Sequence, residues 1–282
     1  MFKTLIDPST LAAKLGDPNW IVIDCRFDLA SPAKGEELYR EAHIPDAKYA
    51  HLDRHLSGAK TGKNGRHPLP DSDVICRNFS DLGISSGMQV VAYDADNGMY
   101  ASRLWWMLRW MGHDAVAVLD GGLARWQRDG HPTRGGVESS TSGNFKGSPR
   151  PGWRLTVDEV VKDLRNPLRL LVDSRTPERY RGIGETLDPV GGHIPGAANY
   201  FFQQNLTADK TFKSPADLKI QWSAIVKGHD PREVVVYCGS GVTACHNLLA
   251  LEHAGIQGVK IYPGSWSEWS SDPARPRATT ED

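Results

Sequence analysis

The stretch "EVVVYCGSGVTACHNLLALEHAGI", residues 233–256, decides the fold. A continuous apolar run, Val234 to Tyr237, reads as a strand covered on both faces. Cys238 stands at its carboxyl end. Gly239, Ser240 and Gly241 follow, and from Thr243 the pattern is helical. Two readings of Cys238 compete. Free cysteine is among the most buried residue types, so Cys238 can be a small core hydrophobe. Alternatively, the loop holds a thiolate. The first-turn amides of a helix have no internal partners and carry partial positive charge. Glycines at 239 and 241 let the backbone curl into a nest of N–H groups around one sulfur, or around the terminal sulfur of a persulfide. Ser240 adds a hydroxyl donor. Strand, cysteine, glycine turn and helix agree on the second reading.

Working outward, the chain repeats itself. "WIVIDCR" (20–26) matches "RLLVDSR" (169–175), "AHIPDA" (42–47) matches "GHIPGA" (192–197), "QVVAYD" (89–94) matches "EVVVYC" (233–238), and "DGGLARW" (120–126) matches "YPGSWSEW" (262–269). The pairs Asp24/Asp173, His43/His193, Asp94/Cys238 and Trp126/Trp269 keep one order and a nearly constant spacing. This is a tandem duplication of a unit of about 130 residues, a common domain size. The stretch 133–152, "TRGGVESSTSGNFKGSPRPG", is rich in Gly, Ser and Pro and has no apolar periodicity, so it reads as a linker. The expected organisation is a first domain at 1–134, a linker at 135–152 and a second domain at 153–282.

Each half alternates short apolar strands with helical patterns. In the second half, "TVDEVVKDLRN" opens with Thr156 and Glu159 at capping-box spacing. It is followed by "LRLLVDS", "SPADLKIQWSAIVKG", "EVVVYC", "TACHNLLALEHAG" and "VKIY". The first half answers with "MYASRLWWMLRWMG" as helix and "AVAVL" as strand. The predicted fold class is α/β, two tandem domains, each a mainly parallel sheet with helices on both faces. Ligands of such sheets sit beyond the carboxyl ends of the strands, where Cys238 stands.

Composition removes several function classes. Of 282 residues, 39% are hydrophobic and 24% charged, which suits a soluble globular chain with ample core. The formal net charge of -1 offers no basic excess for nucleic acid or an anionic membrane surface. The apolar patch "LWWMLRWM" (104–111) is too short and too charged to span a bilayer. Asp7 and Pro8 fall where a signal peptide carries its apolar core, so a cytoplasmic location is the expectation. Cys25, Cys76, Cys238 and Cys245 form no C-x-x-C pair, which argues against zinc, a dithiol redox motif or a disulfide framework. No metal or organic cofactor is implied.

The paired "AHIPDA"/"GHIPGA" segments, the "DGG" and "PGS" turns, and above all "CGSGVTA" resemble the two-domain sulfurtransferases of the rhodanese family, over essentially the whole chain. In that family only the second repeat keeps the catalytic cysteine, and here Asp94 matches Cys238. The resemblance implies a persulfide on Cys238, a small-molecule sulfur donor, and an acceptor thiol such as thioredoxin or glutathione, or cyanide. The loop spelling leans to 3-mercaptopyruvate as donor. Thiosulfate-using members place basic residues in the two positions after the cysteine, where this chain has Gly239 and Ser240. A dianion benefits from two cations, whereas mercaptopyruvate brings one carboxylate. Thiosulfate:cyanide sulfur transfer is the runner-up.

The resemblance also implies site residues. Arg179, in "DSRTPERYRG", is the expected cation for the substrate carboxylate, ahead of Arg175 and Arg181. Gly239, Gly241, Val242 and Thr243 line the substrate side of the loop. Members using mercaptopyruvate carry a second arginine just before "GHIPG", where this chain has Glu185 and Asp188. Ser240, His67 and Asp53 are the expected proton relay, with His51 and His55 as rivals to His67. Asp24, Asp173, His43 and His193 recur in both halves and read as structural, and the nine tryptophans read as packing. The segment 51–71 is expected to reach toward the Cys238 loop, and the cysteine-free repeat to serve as a supporting wall. A cysteine phosphatase normally needs Cys-x5-Arg, and Ala244 stands in place of that arginine. A non-catalytic binding module is the rival from another class, and the presence of Cys238 weighs against it.

Overall fold

A computed structural model describes residues 1–139 and 141–279. The chain divides into two compact units. One holds Met1–Gly58, Pro70–Arg150 and Ala208–Phe212. The other holds Ala59–Leu69, Pro151–Thr207 and the chain from Lys213 on.

The first unit is built on five parallel strands, β1 (Leu5–Ile6), β2 (Trp20–Asp24), β3 (Lys48–Tyr49), β4 (Gln89–Tyr93) and β5 (Val116–Leu119), in the order β1-β5-β4-β2-β3. The second has four, β6 (Leu170–Asp173), β7 (Ala198–Asn199), β8 (Val234–Tyr237) and β9 (Lys260–Ile261), in the order β7-β6-β8-β9. Asp24 pairs with Tyr93 as Asp173 pairs with Tyr237, so the repeat extends to register. The counterpart of β1 is reduced to a single parallel bridge, Arg154 to Ile261. Both sheets are flanked by helices. Among the described residues no helix is long and apolar enough to cross a membrane.

Local chemistry explains the elements. Val90, Val91, Val234, Val235 and Val236 are β-branched and buried, as strands covered on both faces require. The helix Val157–Asp163 opens with the full Thr156/Glu159 capping box. The helix Pro215–Val226 is capped by Ser214 with proline in its first turn. The two cores use matching residues. Ile44, Ala47, Tyr93 and Trp126 in the first unit correspond to Ile194, Ala197, Tyr237 and Trp269 in the second. Each of these tryptophans donates its indole N–H to a proline carbonyl, Pro132 or Pro276, at 2.8 Å.

The stretch read as a linker is fastened to the first unit as far as Arg150. Gly143 donates to the Ser80 carbonyl at 2.7 Å. Phe145 is buried edge-on to Phe79, and Arg150 forks onto Asp114. One buried aromatic in a Gly/Ser/Pro-rich run produces no periodicity, so composition alone does not reveal it.

Candidate active site

The carboxyl end of β8 delivers Cys238 into a turn whose backbone is fully specified. Gly241 has φ +77°, and a Cβ there would lie 2.2 Å from the Pro263 carbonyl oxygen, so only glycine fits. The turn leads through Val242 into the helix Thr243–His253. Hydrogen bonds hold the loop against the helix Ser265–Trp269. Ser265 Oγ accepts from the Cys238 amide at 3.1 Å, and the carbonyls of Cys238 and Gly239 accept from Trp266 and Ser267 at 2.9 Å.

Cys238 is 2% exposed. Its Sγ accepts from the Gly241 N–H at 3.1 Å, the one donor to it among the described residues. The nest expected from the sequence therefore gives the first sulfur one direct amide. Cys245, one helical turn on, is fully buried and donates to the Gly241 carbonyl at 3.3 Å, which makes it part of the turn's packing.

The segment Ala59–Leu69 belongs to the same compact unit as Cys238 although it lies in the first half of the sequence. Arg66 donates its backbone N–H to Ser267 Oγ at 3.0 Å. His67, 3% exposed, places Nδ1 2.8 Å from Ser240 Oγ, which is buried as well. Proton movement between an imidazole and a hydroxyl is possible at that distance.

A cluster of charges stands over the loop. Arg179, in the short helix Pro177–Tyr180, forks through Nε and Nη2 onto Glu185 at 2.9–3.0 Å, and Nη2 also reaches Asp188 at 3.2 Å. Arg66 Nη1 donates to Asp188 and, at 3.2 Å, to the Leu187 carbonyl. Burial pushes the Asp188 carboxyl up, against the pull of Arg66 and Arg179. Burial also opposes ionisation of Glu185, but the Leu187 amide and Arg179 outweigh it and its carboxyl lies below the usual range. A Cβ on Gly239 would meet Arg66 Nη2 at 2.8 Å and Arg179 Nη1 at 3.4 Å, so both guanidiniums face the residue after the cysteine. Arg66 is the residue the sequence reading missed. Before a loop histidine it looks like any solvated arginine, and the carboxylate that holds it is more than a hundred residues away.

The other candidates sort by environment. Arg175, 3% exposed, forks onto Asp173 and stacks over Trp266, and Arg181 is exposed beside Glu178. Of the three arginines in "DSRTPERYRG", only Arg179 is placed against the loop. Asp24 grips Arg26 as Asp173 grips Arg175, and each accepts from the amide two residues on. His43 and His193 place Nδ1 within 2.7 and 2.8 Å of the Tyr39 and Tyr180 carbonyls and stack on those rings. His51 caps the helix Leu52–His55 by accepting from Asp53 and Arg54, and His55 Nδ1 accepts from His51 at 2.8 Å. Both rivals to His67 thus serve the backbone. Asp53 lies on that helix, in the first unit, whereas Ser240 and His67 belong to the second. Val242 is buried and Thr243 partly so at the helix start.

The loop after β4 repeats the cradle with a carboxylate inside it. Asp94 accepts from the amides of Gly98, Tyr100 and Ala101 at 2.8–3.1 Å. The first unit therefore supplies its own anion where the second presents sulfur.

The chain matches the Rhodanese-like domain twice, over residues 7–129 and 156–272. It is 44% identical over 277 residues to a "Probable 3-mercaptopyruvate sulfurtransferase" of Pseudomonas aeruginosa, covering 98% of both chains. It is 38% identical over 279 residues to a "Putative thiosulfate sulfurtransferase" of Mycobacterium tuberculosis, covering 97% of this chain and 96% of that one. The solved 3-mercaptopyruvate sulfurtransferase of Leishmania major superposes with a TM-score of 0.84 at 30% identity, over 95% of this chain and 74% of that chain. With two matched domains in tandem and full-length relatives in both halves of the sulfurtransferase group, the chain belongs to the rhodanese family.

Proposed function

We propose that this chain is a sulfurtransferase that carries a sulfane sulfur from 3-mercaptopyruvate, as a persulfide on Cys238, to a thiol such as thioredoxin or glutathione, or to cyanide. The observation that carries this reading is the Ser240–His67 contact beside a cysteine followed by Gly239 and Ser240. Mercaptopyruvate transfer needs a proton manager, and the loop offers one in place of added cations. The Cys238 thiolate attacks the donor sulfur. The donor's C–S bond breaks with its electron pair going to carbon, and the enolate of pyruvate leaves. The proton lost from the donor sulfur returns to that carbon, handled by Ser240 and His67. The outer sulfur lies about 2 Å beyond Sγ, toward the remaining first-turn amides of the cradle. An acceptor thiolate then removes it and restores Cys238, which is ping-pong covalent catalysis. Asp53 completes the proposed relay. Arg179, Gly239, Gly241, Val242 and Thr243 are the proposed substrate contacts. The cytoplasm is the proposed site of action, a setting consistent with four free cysteines.

Thiosulfate is the second reading, favoured by two guanidiniums over one loop. Against it, Arg66, Arg175 and Arg179 are matched by Asp173, Glu185 and Asp188, so the cluster has little net charge to attract a dianion. The test is kcat/KM with both donors, together with mass spectrometry after donor treatment. The expected result is a higher value for mercaptopyruvate, one added sulfur on the Cys238 peptide and no transfer by Cys238→Ser. A preference for thiosulfate overturns the donor, and label on Cys245 overturns the site.

A further inference from the structure

The first unit keeps a cleft at the place where the second has its cysteine loop. A cavity of about 410 Å³ lies beyond the carboxyl ends of β2 and β4, between the loop after Asp24, the helix Lys34–Glu41 and the loop after Asp94. That volume suits a small ligand. The internal repeat shows what has changed in it. Tyr39 and Tyr180 are equivalent, since each donates its hydroxyl to an alanine carbonyl, Ala47 or Ala197, and stacks on a histidine, His43 or His193. Leu38, on the cavity wall, therefore stands where the second unit has Arg179. Asp94 replaces Cys238, and Asp96, two residues on, replaces Ser240. Phe27, Leu29 and Met99 extend the apolar wall.

Most charges around this cavity are already matched. Arg26 is paired with Asp24, Lys34 reaches Glu37 at 3.5 Å, and Asp96 holds Lys210. Asp94 is satisfied by three amides. Asp28 has no cation. Its Oδ1 accepts from the Ala30 and Ser31 amides, and its Oδ2 has no partner among the described residues. Tyr100 lines the same cavity, 8% exposed and edge-on to Phe27 at 5.6 Å. Its hydroxyl also has no partner among the described residues. A hydroxyl and a carboxylate oxygen thus border one cavity without bonding to each other.

We propose that this cavity is a second ligand site, for a small organic cation with an apolar body: its N–H groups go to Asp28 and the Tyr100 hydroxyl, and its body lies against Phe27, Leu38 and Met99. A cation there gains a carboxylate without displacing any ion pair of the protein. The rings of Phe27 and Tyr100 add their attraction for positive charge. An anion finds Lys34 already turned to Glu37, and meets Asp28, Asp94 and Asp96. The duplicated cleft has thus lost the thiol and the cation of its counterpart and changed the sign of the ligand it suits. The site does not depend on which sulfur donor the second unit takes, because its lining residues all lie in the first unit.

The probe is phenylethylammonium, with phenylpropionate and phenylethanol as its anionic and neutral counterparts. Met99 reports from the cavity wall: the full chain is labelled with carbon-13 at the methionine methyl groups, and the Met99 resonance is assigned by its loss in Met99→Leu. The ammonium should shift that resonance saturably, the alcohol should bind more weakly, and the carboxylate should leave it in place. Asp28→Asn should raise the Kd of the ammonium roughly tenfold or more, as for a lost charge-assisted hydrogen bond, and Tyr100→Phe should raise it several-fold. Neither substitution removes a bond of the fold, because Asn keeps the oxygen that accepts from Ala30 and Ser31 and the Tyr100 hydroxyl has no partner to lose. No Met99 shift with the ammonium overturns the site. A carboxylate that binds as tightly overturns the ligand class, and a Kd unchanged in Asp28→Asn overturns the contact that defines it.

Discussion

Three arginines within seven residues have three different fates, and burial separates them. Arg175 neutralises the fully buried Asp173, so Arg175→Leu leaves an unpaired charge in the core at a cost of about 3–5 kcal/mol. The expected outcome is loss of folded protein, read by circular dichroism. Arg181 is exposed and 3.9 Å from Glu178, and its replacement by Leu should change KM less than twofold. Arg179→Leu should raise KM for mercaptopyruvate about tenfold, from a lost charge-assisted hydrogen bond of about 1.5–3 kcal/mol, with a smaller change in kcat. Steady-state kinetics on the Arg179 and Arg181 variants checks the ranking, and equal small effects would place the carboxylate elsewhere. In the sequence all three look alike, because a guanidinium's role depends on which carboxylate reaches it. The family motif singled out Arg179, and no local pattern marked Arg66.

At the scale of elements, the helix Leu52–His55 shows how histidines near a site can be structural. His55 Nδ1 accepts a backbone N–H, which requires a neutral ring. Burial, reinforced by the Arg54 charge, pushes its imidazole down to about 4. The unfolded value is near 6.5, so the unfolded chain binds the proton more tightly. The native contribution is therefore complete above pH 6.5 and is lost as pH falls from 6.5 toward 4, on the order of 3 kcal/mol in all. Urea midpoints of the wild type should fall across that window, and those of His55→Asn should fall less. Parallel curves would mean that His55 does not titrate between the two states. The longer strands and several of the helices were legible in the sequence, whereas the two-residue strands Leu5–Ile6, Lys48–Tyr49 and Ala198–Asn199 were not. Valine runs, the Thr156/Glu159 box and the glycine turn each act over a few residues, as the matching spans of β8 and the helix Thr243–His253 reflect.

At the scale of the molecule, the compact units do not follow the sequence halves. Ala59–Leu69 packs with the second half, and Ala208–Phe212 with the first, where the Phe212 amide donates to Asp120 at 2.8 Å. Gly65 marks the tight point of the first crossing. At φ +85°, a Cβ there would lie 2.9 Å from the Gly264 carbonyl oxygen and 3.0 Å from Ser267 Oγ. Gly65→Ala should shift Arg66 and His67 together. The expected result is persulfide formation from mercaptopyruvate slowed by about tenfold or more, since displacements near 1 Å are felt at reacting atoms. Tm should drop by only a few degrees. Rapid-quench kinetics beside a thermal melt tests this, and an unchanged rate would mean that the loop needs no fixed position.

By itself the sequence determined the duplicated α/β architecture, the ends of the longer strands, the cysteine loop and the match of Asp94 to Cys238. These follow from periodicity, turn chemistry and residue identity, which operate within a few neighbours. Motif spelling also singled out His67, which lies beside Ser240, and Arg179, which faces Gly239. Only the tertiary structure decided that Arg66 shares a carboxylate with Arg179, that Phe145 closes part of the first core, and that His51 and His55 serve the backbone. Each of those depends on long-range contacts or on the direction of a single hydrogen bond. The pairing of a side chain with a carboxylate more than a hundred residues away leaves no local trace, because the interaction exists only after the chain has folded.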